Sequence, residues 1–178
     1  EVGKNLESVG VNVSYAAKPN HDFLKSEINY QLLLQSVMQS GMSEEEFKKI
    51  EEIANNLEPN DLSAEAILAR GTVLSHRNWI RQNFAREQTK ISWENFFNEW
   101  DILICPQLAT TAIEHDHRKI SDRTIMVDNQ EQRYFKQIFW PGLAVNAHLP
   151  STVFPTGLSE DGMPIGAQII GRHWDEET

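Results

Sequence analysis

Hydrophobic positions along the chain alternate between two periods, and the places where the period changes divide it into elements. Val9, Val11, Val13 and Tyr15 alternate with small or polar residues, which predicts a half-buried strand ended by Pro19-Asn20. From Asp22 to Gln39 the apolar residues Phe23, Leu24, Ile28, Leu32 and Val37 recur at helical spacing, with Gly41 as the stop. Ser43-Glu-Glu-Glu46 has the form of a capping box, in which a hydroxyl and a carboxylate satisfy each other's free backbone donors. A helix therefore starts at Ser43 and runs to about Leu57, before Pro59. Leu62 to Glu87 reads as a longer helix and Ser92 to Glu99 as a short one leading into a strand at Asp101–Cys105.

The later part is cut by Pro and Gly. Thr110–Gln132 is polar and irregular and reads as a long loop. Tyr134–Asn146 carries Phe135, Ile138, Phe139, Trp140, Leu143 and Val145 around Pro141-Gly142. That is too apolar for a surface loop, so it is read as a helical segment broken near Pro141. A strand at Thr152–Phe154, a turn over Ser159–Gly162 and a strand at Ile165–Ile170 follow.

Composition narrows the function classes. A chain of 178 residues, 40% hydrophobic and 24% charged, is expected to form a single unit over residues 1–178 that buries on the order of 70% of its extended surface. With 16 basic against 26 acidic residues and a formal charge of -10, nucleic acid is not an expected partner. No apolar run approaches the roughly 18 residues of a membrane span, so no transmembrane segment is expected. The opening Glu1-Val-Gly-Lys is neither a signal sequence nor an initiator Met, which suggests a start inside a longer protein. The single cysteine, Cys105, forms no internal disulfide, and a reducing cytoplasm is the expected location.

The chemistry candidates are few. His115-Asp116-His117 could present two imidazoles on one side of a strand to a metal, but no third ligand is identifiable, and the stretch is read as a solvated loop. Cys105 closes the apolar run Ile102-Leu-Ile-Cys, the setting of a structural rather than a reactive thiol. Glu44-Glu45-Glu46 sits at a helix start and complements the helix dipole. Gly157, Gly162, Pro164, Gly166 and Gly171 serve tight turns and close strand approach. No phosphate loop, dinucleotide motif or zinc-protease helix is present.

Three segments taken together carry a family resemblance: Asp101-Ile-Leu-Ile-Cys-Pro106, Leu149-Pro150 through Gly157, and Gly162-Met-Pro-Ile-Gly-Ala-Gln-Ile-Ile-Gly171, with the tail Trp174-Asp175-Glu176. They resemble the C-terminal half of the amidase signature family. Leu6-Glu-Ser-Val-Gly-Val-Asn-Val13 looks like that family's unit of helix, Gly and edge strand. The resemblance implies an α/β fold with helices packed on a mixed β-sheet, a small-molecule amide as substrate, and no metal or organic cofactor. It also implies acyl transfer to water by a nucleophilic Ser, a second Ser and a Lys. Those residues belong to the family's N-terminal half, in and beside a Gly/Ser-rich loop that does not occur here. No catalytic residue is therefore assigned in this chain, which is expected to be inactive alone and to self-associate through exposed strands.

By alignment to Leu149-Pro150, the resemblance places substrate-pocket residues at Phe135, Ile138, Phe139, Trp140 and Gly142, with the tail Trp174 nearby; core packing is the alternative reading of the same residues. Family members usually have Asn five residues before the Leu-Pro proline and Gly two before it, where this chain has Val145 and His148. The subfamily that feeds glutamine-derived ammonia to transfer RNA carries an acid shortly before that Asn. Tyr134–Asn146 has none, which favours a general amidase acting on a less polar amide over a subunit of a glutamyl-tRNA amidotransferase-like complex. A non-catalytic accessory module is the reading from a different class.

Overall fold

The computed structural model describes residues 1–119 and 122–175, which form two compact units: residues 21–92, and residues 1–20 with 93 onward.

The first of these is helical. Helix α2 (Phe23–Met38), which follows the short α1 (Val2–Ser8) in the chain, is capped by Asp22, whose carboxylate accepts the Lys25 N–H at 3.1 Å. Helix α3 (Glu44–Asn55) begins with the expected capping box: Ser43 Oγ accepts the Glu46 N–H at 3.3 Å, and the Ser43 N–H donates to Glu46 Oε2 at 3.2 Å. The long helix expected at Leu62–Glu87 is instead two, α4 (Ala64–Thr72) and α5 (His76–Phe96). Ser75 makes the break, because its hydroxyl accepts the Asn78 N–H at 3.3 Å and its carbonyl accepts the Trp79 N–H at 2.8 Å, starting a new helix. Helix α5 takes in the start of the short helix expected at Ser92–Glu99 and ends at Phe96.

Gly71 lets α4 lie against α2. A Cβ there would sit 2.6 Å from Gln35 Cβ and 3.0 Å from the Leu32 carbonyl oxygen, a clash no side chain escapes. Asn29, buried on α2, donates to the Gln82 carbonyl at 2.8 Å and to Gln82 Oε1 at 2.9 Å, pinning α2 to α5.

The other unit holds two antiparallel sheets. Strand β1 (Leu103–Pro106), together with β4 (Ser151–Leu158) and β5 (Pro164–Ile170), makes a sheet of order β1-β5-β4, in which Ile170 stands opposite both Leu103 and Ser151. Every described pairing is antiparallel. The reason for the β4–β5 pair is its connection: the Ser159 N–H donates to the Met163 carbonyl and the Gly162 N–H to the Ser159 carbonyl, both at 2.9 Å, a tight turn that sends the chain straight back. Gly162, at φ +77, supplies the left-handed step.

Within the stretch expected to be a loop lies a hairpin, β2 (Thr124–Val127) and β3 (Gln130–Arg133). Its two-residue turn, Asp128-Asn129 with φ 49 and 61, has the handedness that fits twisted strands, and Asp and Asn tolerate it. Residues 9–15, expected as a strand, pair with no strand among the described residues; Val9 is 76% exposed and Tyr15 71%. Tyr15 packs instead over Gly3 of α1 and donates to Glu7 Oε2 at 3.2 Å.

The core of this unit is aromatic. Trp93, Phe96 and Phe97 meet Ala144, Ala147 and Ile170, with Trp93 stacked on Phe97 at 5.7 Å and Phe96 edge-on to Phe97 at 5.2 Å. Arg172 anchors the chain beyond β5 by donating to the Phe97 carbonyl and to Asn98 Oδ1.

Candidate active-site segment

The segment that carries the expected pocket residues is a 3-10 turn (Tyr134–Ile138) running into α6 (Phe139–Ala147). The break falls at Ile138–Phe139 and not at Pro141. Pro141 is the third helical residue, where a backbone N–H has no partner inside the helix, so its missing donor costs nothing. Helix α6 ends in a Schellman motif: the Leu149 N–H reaches the Ala144 carbonyl at 3.0 Å and the His148 N–H the Val145 carbonyl at 3.2 Å. His148, at φ 56, holds the left-handed position there. The family's usual Gly at this place is the residue the motif prefers.

A buried polar side chain adds to the packing of this helix on the sheet. Gln168, fully buried on β5, donates through Nε2 to the Trp140 carbonyl at 2.9 Å and to Cys105 Sγ at 3.3 Å. A buried amide in an otherwise apolar strand needs partners on site, and these two join the end of β1 to the start of α6. Burial pushes the Cys105 thiol above its ordinary value, with the Gln168 hydrogen bond opposing. At neutral pH Cys105 is a thiol and no nucleophile.

The expected pocket residues fall in two places. Phe135, Ile138, Phe139, Trp140 and Gly142 lie on the one segment. Phe135 is 44% exposed and stands edge-on to Tyr134, Phe139 is edge-on to Trp140 at 5.1 Å, Ile138 is half-buried and Gly142 is buried. Trp174 is 82% exposed at φ 62, its ring 5.0 Å from that of His173. His173 Nδ1 lies 2.6 Å from the His148 carbonyl oxygen, which ties the tail to the end of α6. Glu176, the last residue of the tail motif, lies outside the described residues.

The polar loop has a local purpose. Asp116 is gripped by Arg118, whose guanidinium donates to both carboxylate oxygens at 2.7–3.1 Å, and its carboxyl is pulled down to about 2. The flanking His115 and His117 rings lie parallel, 6.3 Å apart. Among the described residues no three His, Cys, Asp or Glu come together in a metal-holding group.

The sequence reading had Gln168 only as a position of the Gly162–Gly171 motif, with no role, and did not name Gln137, which is buried in the 3-10 turn. The signal for Gln168 is visible in retrospect, since it is an uncharged amide set in an apolar run where solvent cannot satisfy it; Gln137 follows the charged Lys136 and carries no such signal.

A family profile, Amidase, matches residues 1–178. A glutamyl-tRNA(Gln) amidotransferase subunit from Bacillus cereus (strain B4264) is 34% identical over 94 residues, 52% of this chain and 17% of that protein. Among solved structures, an amidase superposes with a TM-score of 0.64 at 14% identity, over 98% of this chain and 37% of its own. A bacterial aryl acylamidase of the amidase signature family gives 0.60 at 15%, over 94% and 34%. The glutamyl-tRNA(Gln) amidotransferase subunit of the same kind from Thermotoga maritima gives 0.59 at 18%, over 97% and 34%. The chain thus spans about a third of the length of these solved relatives and has their fold. It belongs to the Amidase family.

Proposed function

We propose that this chain is the pocket-bearing C-terminal part of a general amidase, with both compact units forming parts of one amidase domain. The observation that carries the reading is the disparity in the match: all 178 residues fall within the Amidase family, yet they account for only 37% of a solved amidase. The sequence contains no Gly/Ser-rich loop to house the family's serines, so the nucleophile lies in a segment outside these residues.

In the whole enzyme a Ser attacks the amide carbon, and the second Ser and a neutral Lys relay its proton to the leaving amine. Backbone N–H groups hold the oxyanion, and water then releases the acid from the acyl-enzyme. This chain's contribution is binding: Phe135, Ile138, Phe139, Trp140 and Gly142, with Trp174, form an apolar pocket held in place through Gln168.

The 34% identity to amidotransferase subunits favours a second reading, in which the product is ammonia for a transfer-RNA-linked reaction. Against it stands the absence of any acid in Tyr134–Asn146, leaving nothing on that segment to pair with a cationic amino-acid substrate. Assay of the full-length protein separates the two. Turnover of apolar aryl and aliphatic amides, with glutamine a poor substrate, supports the general amidase; a preference for glutamine supports the other.

A further inference from the structure

Three buried oxygens in the sheet-bearing unit have no hydrogen-bond partner among the described residues: Gln107 Oε1 and Thr110 Oγ1, just after β1, and Gln137 Oε1 in the 3-10 turn. Gln137 is only 8% exposed. Burial strips water from an acceptor without replacing it, which folded chains tolerate rarely, so each such acceptor calls for an explanation. Gln107 is two residues past Cys105 and Gln137 three before Trp140, the two partners of Gln168. A carboxamide oxygen can only accept, so the complementary group is an N–H or O–H donor. With no acid anywhere in Tyr134–Asn146, a buried cation would go unpaired there, and the donor is neutral.

We propose that Gln137 is a specificity-determining acceptor that takes a hydrogen bond from a neutral donor group of the substrate remote from the scissile bond. The substrate class is then an apolar amide bearing a second, neutral donor group, tested as an uncleaved carboxamide. Phe135 and Ile138, on either side of Gln137, enclose the apolar body. The proposal rests on the amidase reading and refines it.

The test uses the full-length protein and two anilides of equal shape, those of succinamic acid and of 4-oxopentanoic acid, which differ only in NH2 against CH3 at the far end. The wild type is expected to favour the carboxamide by roughly 10-fold or more in kcat/KM, because a site built for a donor rejects the analogue that lacks it. Gln137→Met should abolish that preference by slowing the carboxamide alone, and Gln137→Glu, which keeps an acceptor, should retain it. Equal turnover of the two anilides by the wild type overturns the proposal. So does an equal loss on both in Gln137→Met, or a fall in its melting temperature with the preference intact, either of which makes Gln137 a packing residue. If the wild type cleaves neither anilide, calorimetric titration with succinamide decides: binding that Gln137→Met loses sustains the subsite while the amidase reading fails, and no binding to the wild type overturns the subsite.

Discussion

Gln168 Nε2 donates to the Trp140 carbonyl at 2.9 Å, so a buried amide on β5 ties down the start of α6 and the aromatic pair that opens it. Replacing Gln168 with Leu leaves the Trp140 carbonyl without this donor. That carbonyl keeps its helical partner four residues on, so the loss is that of one buried hydrogen bond, about 0.5–1.5 kcal/mol. Urea denaturation should show that loss, and activity on bulky amides should fall with it as α6 loosens. An unchanged midpoint would mean that α6 is held by its aromatic packing alone.

His148 offers the opposite experiment. A side chain at φ 56 crowds its own backbone, and Gly does not. His148→Gly should stabilise the protein by about 1 kcal/mol, and His148→Val should destabilise it more than His148→Ala, because β-branching worsens the strain. Denaturation midpoints of the three variants test that order.

The Asp116 carboxyl is held near 2 by Arg118, below its ordinary value of 3.8. A carboxylate whose folded-state pKa is depressed contributes stability that is present above the unfolded value and is lost as pH falls through the folded one. The window here is therefore about pH 4 down to about pH 2. A carboxyl-carbon NMR titration should place Asp116 near 2 in the wild type and higher in Arg118→Ala, which loses the guanidinium but keeps the backbone N–H bond to the carboxylate.

How far the sequence revealed the structure depends on whether a signal was local. Asp22 and the Ser43–Glu46 box marked their helix starts because capping is decided within one turn. The alternation at Val9–Tyr15 misled, since period two shows that a strand could form and not that a partner strand is there; the side chains meet solvent. The hairpin at Thr124–Arg133 went unseen because its strands are four residues each and largely polar, though Asp128-Asn129 is its turn signature. Of the candidate site, the aromatic segment was visible as an apolar run. The roles of Gln168 and Gln137 were not, because they depend on which chain segments meet across the sheet.

Specificity should respond to the α6 segment. Phe139→Ala or Ile138→Ala in the full-length enzyme should lower kcat/KM on long apolar amides by roughly 10- to 100-fold and leave acetamide-sized substrates nearly unchanged, since only a long substrate reaches the lost surface. Equal losses on both substrate sizes, with lower stability, would assign these side chains to packing.

The central claim, that this chain holds the pocket while the nucleophile lies elsewhere in the same enzyme, is tested most directly by labelling the full-length protein with a serine-directed fluorophosphonate and locating the adduct by mass spectrometry. The account predicts stoichiometric loss of amidase activity with a single modified serine outside these 178 residues. A modified serine within them, or amide hydrolysis by the 178-residue chain alone, would contradict it.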